Sequence, residues 1–174
     1  MPEVKDTSLD DAILVDITNM YGKISGNNPR AVLIAVYRFL KELGCAWVRN
    51  SSDGEIIPSY TLTPVSTYIC EAASYRHRAI CIEGSITAEH VIDTLDWIPK
   101  AGMNGYFAQF ILPDMLYRRW YKDEMEMVYG KPLCEEYEAF RAIHNSVEDE
   151  IFKRSLVYHT VGHGFIAYAF GIEG

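Results

Sequence analysis

The sequence predicts an α/β fold made of a small α/β domain at residues 1–65 and about three parallel strands at residues 66–174. Two observations predict this fold. In the first part a hairpin pattern precedes a well-capped helix, and in the second part short apolar segments alternate with helical stripes. Strands that alternate with helices through short connections pair in parallel, with right-handed crossovers.

The first domain opens with a predicted hairpin and helix. "DAILVDIT" (11–18) is an apolar run rich in β-branched residues, and "YGKISG" (21–26) follows as its hairpin partner. Asn28 is a good N-cap, Pro29 fits the first helical position, and Gly44 fits the left-handed position after the helix. Between these signals the apolar residues recur at spacings of three and four, which predicts a helix with one buried stripe.

The segment after this helix reads differently. "CAWVR" (45–49) predicts a short buried strand. Residues 50–64 are rich in turn formers, and Pro58 and Pro64 disfavour a long central strand there. We therefore expect a linker between the two domains in this stretch.

The second domain alternates strands and helices. The pattern predicts strands at 77–84, 105–112 and 156–165, and helices at 87–104 and 134–154. The strand at 105–112 is almost continuously apolar, as burial on both faces of a parallel sheet requires.

Composition excludes several classes of function. The net charge of −8 argues against a nucleic-acid partner, because phosphate contacts need a basic face. We expect no membrane partner, since no apolar run approaches the roughly twenty residues of a membrane helix. We see no secretory leader, and the four cysteines are widely spaced without a CxxC pair, so we expect free thiols and a cytoplasmic location. The aromatic content of 13% suits a dense core or a stacking surface for sugars or bases.

Two histidines, His159 and His163, lie four positions apart in "SLVYHTVGHGF" (155–165). Gly162 and Gly164 disfavour a helix there, and in a strand the two side chains would be about 13 Å apart. A zinc ion needs both ring nitrogens at about 2 Å, so a shared metal requires a sharp turn at the glycine. We expect pocket lining, with no metal and no cofactor.

Charged and polar residues follow the predicted strands at their carboxyl ends, where parallel α/β folds bind ligands. These are Glu83, Asp114, His159 and His163, and Arg78 stands at the start of the first of these strands. Structural alternatives remain open. Glu83 suits a helix N-terminus, Asp114 suits a turn after proline, and Arg78 suits a surface salt bridge. We interpret the five as a substrate-binding cluster.

These residues resemble the start of the catalytic barrel of β-N-acetylhexosaminidases and related bacterial glycoside hydrolases. "RAICIE" resembles that family's arginine, four residues, then an acid, and gives Arg78 and Glu83. "MNGYFAQFILPD" resembles the second strand, which ends at Asp114, and "HTVGH" resembles the third, with His159 where an aspartate is usual and His163 in the expected place. "ISGNNPRAVLIAVYRFLKELGCAWV" resembles the small α/β domain that precedes the barrel in hexosaminidases and α-glucuronidases.

The resemblance implies an incomplete (β/α) barrel. A full barrel has eight strands and about 250 residues. Here the barrel part begins near residue 76 and provides three predicted strands. The family's catalytic acid follows the fourth strand, so we expect the N-terminal portion of a longer glycosidase, with its catalytic residues unknown. That portion would bind carbohydrate without hydrolysing it, and its exposed sheet edge favours homo-oligomers.

Two other functions remain open. The chain fits a non-catalytic carbohydrate-binding or assembly module that uses its aromatic side chains and its sheet edge. It also fits a small self-contained enzyme with His163 as general base, although no nucleophile motif stands out.

Overall fold

The computed structural model describes residues 1–59, 63–82, 87–108 and 133–160, and the side chains of all of these except 133–141. Within these ranges the fold is α/β, as predicted, with one small antiparallel sheet and one three-stranded parallel sheet. A two-stranded ribbon is inserted in sequence between two strands of the antiparallel sheet. The described strands do not form a closed barrel.

The antiparallel sheet has the strand order β2-β1-β5. Strand β1 is Ala12–Thr18, β2 is Tyr21–Gly26 and β5 is Thr67–Ala72. The β1–β2 turn places Asn19 and Met20 at φ 49° and 70°, the left-handed pair of a tight hairpin. Because β5 pairs with β1, the small sheet extends beyond residue 65, where the first predicted domain ends.

Helix α1, Pro29–Glu42, covers one face of this sheet. Its start is fixed by Asn28, whose side-chain oxygen accepts a hydrogen bond from the Ala31 amide at 2.8 Å. Gly44, at φ 86°, provides the left-handed residue that ends the helix. The residues buried between helix and sheet are Ile13, Val15, Ile17, Ala31, Ile34, Ala35 and Ile69.

A short ribbon follows α1 in the chain and contacts the second unit. Strand β3, Ala46–Trp47, pairs with β4, Glu55–Ile56, across a 3₁₀ helix at Ser52–Gly54. The first part of the predicted linker is therefore ordered. The ribbon is attached to the second unit, because the Trp97 indole N–H donates to the Trp47 carbonyl at 2.9 Å.

The parallel sheet has the order β6-β7-β8, as the alternating pattern predicts. Strand β6 is Ala79–Ile82, β7 is Gly105–Ala108 and β8 is Val157–Thr160. The connecting helices are α2, Ala88–Lys100, and α3, Leu133–Lys153.

Helices α2 and α3 pack on the same face of the parallel sheet. Side chains alternate along a strand, so every second residue of β6, β7 and β8 points to these helices. The buried core comprises Ile82, Tyr106 and Ala108 from the sheet with Val91, Leu95, Ile98, Val147, Ile151 and Leu156. Each large side chain buried here contributes roughly 1.5–3 kcal/mol. This core fixes which sheet face is covered and which is left to other uses.

Strands β6 and β8 are the two edges of the parallel sheet among the described residues. The predicted association through this edge stays a prediction. In the described part of the chain, no helix combines the length and apolarity needed to cross a membrane.

Candidate functional site

The structure describes two of the five predicted binding residues, Arg78 and His159. Glu83, Asp114 and His163 lie outside the described residues. The predicted cluster as a whole therefore stays a prediction, and the geometry of the site is built below from Arg78 and His159.

Arg78 precedes β6 at the amino-terminal edge of the parallel sheet. Its guanidinium binds the Asp11 carboxylate at 2.6 Å and also donates to the carbonyls of Gly102 at 3.0 Å and Tyr75 at 2.6 Å. The Arg78 backbone N–H donates to the side-chain oxygen of Asn104 at 2.9 Å. These contacts join the first strand of the parallel sheet to the small unit.

Asp11 is the centre of this junction, and it is 3% exposed. Its carboxylate accepts hydrogen bonds from Arg30 at 2.6 Å, from Asn104 at 3.0 Å and from Asn28 at 3.1 Å, as well as from Arg78. Burial alone would raise the pKa of Asp11, but the hydrogen bonds from Arg30, Arg78 and Asn28 outweigh it and the pKa is lowered. The carboxylate is therefore held in its charged form.

Backbone carbonyls also accept hydrogen bonds from the side chains that surround Asp11. Arg30 also donates to the Ser155 carbonyl at 3.0 Å, and the Asn104 amide donates to the Arg76 carbonyl at 2.7 Å. A buried charge is tolerated when its partners are satisfied in this way. The described contacts give Arg78 a structural role, and its predicted contact with sugar hydroxyls stays untested.

A pocket of about 290 Å³ opens beside this junction. It is lined by Asp11 and Arg78 together with Arg38 and Glu71, and it extends to Gly102. Arg38 pairs with Glu42 and, at 3.4 Å, with Glu71. The charged side chains around the pocket thus form ion pairs mainly with one another.

His159 lies in β8, opposite Phe107 in the parallel register. Its ring contacts the His77 ring, with centroids 5.0 Å apart at 68°, and the Phe107 ring at 6.2 Å. Its neighbour in sequence, Tyr158, packs instead against the helix-covered core. Because side chains alternate along a strand, His159 points away from α2 and α3.

The face that carries His159 is formed by one row across the three strands. Cys81, Phe107 and His159 are in register, and Cys81 is exposed. We call Cys81, Phe107, His159 and His77 the inner face, since it is the sheet surface opposite to the helices. The described contacts of Arg78 and of His159 share no residue.

His77 was not among the predicted binding residues. A signal was present, because His77 stands two residues before Ala79 and strand periodicity places both on the side of Cys81. Among the described residues there is no group of three or more His, Cys, Asp or Glu side chains arranged to hold a metal ion.

Comparison of the chain with protein-family models, with curated proteins and with solved structures found no match.

Proposed function

We propose that this chain is a glycoside-hydrolase-related protein that binds carbohydrate on the inner face, in a site that extends to the carboxyl ends of β6, β7 and β8. The observation that carries the proposal is the parallel sheet with both described helices on one face and His159 on the other. In (β/α) barrels the helices lie outside and the face away from them lines the interior.

The order of the residues along the chain supports the same location. Glu83 is the next residue after Ile82, the last residue of β6, and His163 follows three residues after Thr160, the last of β8. Ligands of parallel α/β folds bind where such strands end.

The chemistry of the inner face suits a sugar. An imidazole has one ring nitrogen that donates and one that accepts when it is neutral, so His77 and His159 can each bond sugar hydroxyls. Phe107 beside them offers an apolar surface for the C–H groups of a pyranose ring. Hydrolysis needs two suitably spaced carboxylates, or one with help from the substrate, and the inner face residues supply none. Binding is therefore the activity that we assign to these groups.

The proposal is tested by sugar titration of the full chain. N-acetylglucosamine and glucuronate, probed separately by NMR, are expected to shift the imidazole signals of His77 and His159 in a saturable way for at least one of them. His159→Ala should weaken that binding by about tenfold, the loss of one or two hydrogen bonds. His90→Ala removes an exposed histidine of α2 and serves as the matched control.

Two results would overturn the proposal: no saturable binding of either sugar, or equal binding by the wild type and His159→Ala. An assay for turnover of aryl glycosides distinguishes a binding module from an enzyme. Binding without turnover favours a non-catalytic carbohydrate-binding module, and turnover shows that the chain carries its own catalytic acid.

We also propose a reducing, cytoplasmic location. The support is that the three cysteines that the structure describes, Cys45, Cys70 and Cys81, are free thiols.

A further inference from the structure

A second pocket lies between the β3–β4 ribbon and the outer surface of α2. Its volume is about 190 Å³, and its walls include Trp47, Asn50 and Ser52 from the ribbon and Asp93, Trp97 and Lys100 from the helix. These α2 residues are on the helix surface that the parallel sheet does not cover. The pocket is therefore separate from the inner face.

Hydrogen bonds hold both walls in place. The Trp97 indole N–H donates to the Trp47 carbonyl at 2.9 Å, and the Trp47 indole N–H donates to Glu55 at 2.9 Å. The Asn50 amide donates to the hydroxyl of the buried Thr94 at 2.6 Å. Neither indole ring is free to turn without breaking a bond, so the pocket is preorganised for a ligand.

The positive charges of the pocket already have partners. The Lys100 ammonium is 2.8 Å from Glu55 and 2.7 Å from Asp96, and it also lies over the Trp47 ring at 5.9 Å. Arg49 pairs with Asp53.

Asp93 is different from the other charged groups of the lining. It is exposed, and it forms no hydrogen bond or ion pair with any other residue that the structure describes. The pocket thus offers one uncommitted carboxylate and no uncommitted cation among the described residues. This excess of negative charge opposes an anionic ligand.

We propose that this pocket is a second carbohydrate site, which takes a single neutral pyranose ring. The Asp93 carboxylate accepts hydrogen bonds from sugar hydroxyls, and the side-chain carbonyl of Asn50 and the Ser52 hydroxyl provide further partners. The tryptophan walls supply the apolar surface against which the C–H groups of a pyranose pack.

The volume and the charge of the pocket restrict the class of ligand further. The volume of about 190 Å³ is below the roughly 300–1,000 Å³ of sites for drug-sized ligands, which favours one ring over an oligosaccharide. The negative charge of Asp93 favours glucose, galactose or N-acetylglucosamine over glucuronate. The inference goes beyond the proposed function, because it concerns another surface of the molecule and other residues.

The test follows the tryptophan indole N–H signals of the full chain by two-dimensional NMR. Titration with glucose, galactose and N-acetylglucosamine should shift the signals of Trp47 and Trp97, with a dissociation constant of roughly millimolar size for one of these sugars. Glucuronate should bind at least about tenfold more weakly. The indole signals report this pocket, whereas the histidine signals report the inner face, so each site succeeds or fails independently.

Variants decide the assignment. Asp93→Ala should weaken neutral-sugar binding by about tenfold, and Ser52→Ala by a smaller factor. Glu89→Ala removes another exposed carboxylate of α2, one turn earlier and outside the pocket, and should leave binding unchanged. The proposal is overturned if no neutral sugar shifts either indole signal, if glucuronate binds as well, or if Asp93→Ala binds like the wild type.

Discussion

The amino-terminal edge of the parallel sheet and its inner face use polar side chains in opposite ways. At the edge, Asp11, Arg78 and Asn104 bond one another and the backbone. On the inner face, the described partners of His159 are two rings, those of His77 and Phe107.

This contrast indicates which residues are available to bind a ligand. Hydrogen-bonding groups that are fully used by the protein stabilise it, and they have little left to offer a ligand. Polar residues at the amino-terminal side of a (β/α) unit are generally associated with stability, whereas binding groups gather at the other end and in the interior. We therefore expect substitutions at the edge to change folding, and substitutions on the inner face to change binding.

The largest expected effect is at Asp11. Asp11→Ala leaves the buried Arg30 and the largely buried Arg78 without their carboxylate, so we expect a loss of about 3–5 kcal/mol in the free energy of unfolding. Chemical denaturation followed by circular dichroism measures it.

The neighbouring Asp10 is the matched control for this substitution. It pairs with Arg76 at 2.7 Å, where water screens the two charges, and Asp10→Ala should lower the free energy of unfolding much less than Asp11→Ala. If the two variants were equally stable, the junction would not be the structural centre that we describe.

A smaller effect distinguishes the two faces of β8. Burial, and then the nearby Glu148, raise the pKa of Tyr158 to about 12. An unfolded tyrosine ionises near pH 10, so between about pH 10 and 12 the unfolded state releases a proton that the folded state retains. Stability should therefore fall over this range as pH rises, by about 2–3 kcal/mol in total.

Tyr158→Phe should remove this part of the alkaline loss, and unfolding curves recorded across that pH range measure it. Tyr75→Phe alters a tyrosine that is exposed and should keep the loss intact. An unchanged pH dependence in Tyr158→Phe would mean that the covered face does not keep this hydroxyl neutral.

The smallest effect on stability is expected at His77. His77→Ala removes an exposed ring whose described ring contact is His159. The free energy of unfolding should therefore change by less than about 1 kcal/mol. The proposed binding of sugar at the inner face should nevertheless weaken by several-fold. A stability loss as large as that of Asp11→Ala would place His77 with the structural residues and remove the contrast.

Local signals in the sequence predicted the helices well. The N-cap at Asn28 and the glycine at Gly44 delimit α1 as expected, and Thr87 caps α2 through a hydrogen bond from the His90 amide at 3.2 Å. The parallel order of the last three strands also followed from their alternation with helices. These features depend on residues a few positions apart, which is why one sequence suffices to predict them.

Long-range partners could not be predicted in this way. Strand β5, at Thr67–Ala72, was not predicted, because its pairing with β1 depends on residues fifty or more positions away. The contact between Arg78 and Asp11 joins residues 67 positions apart, and no sequence periodicity predicts it. From the sequence, Arg78 was therefore interpreted as a ligand-binding residue. The structure shows that its guanidinium binds the Asp11 carboxylate.

The sharing of Asp11 has an evolutionary consequence. One carboxylate, that of Asp11, forms ion pairs with Arg30 of the small unit and Arg78 of the parallel unit, and it also binds Asn104. Recombination that exchanged either half for a foreign counterpart would have to bring matching side chains with it. We therefore expect the small unit and the parallel unit to have evolved together as one domain.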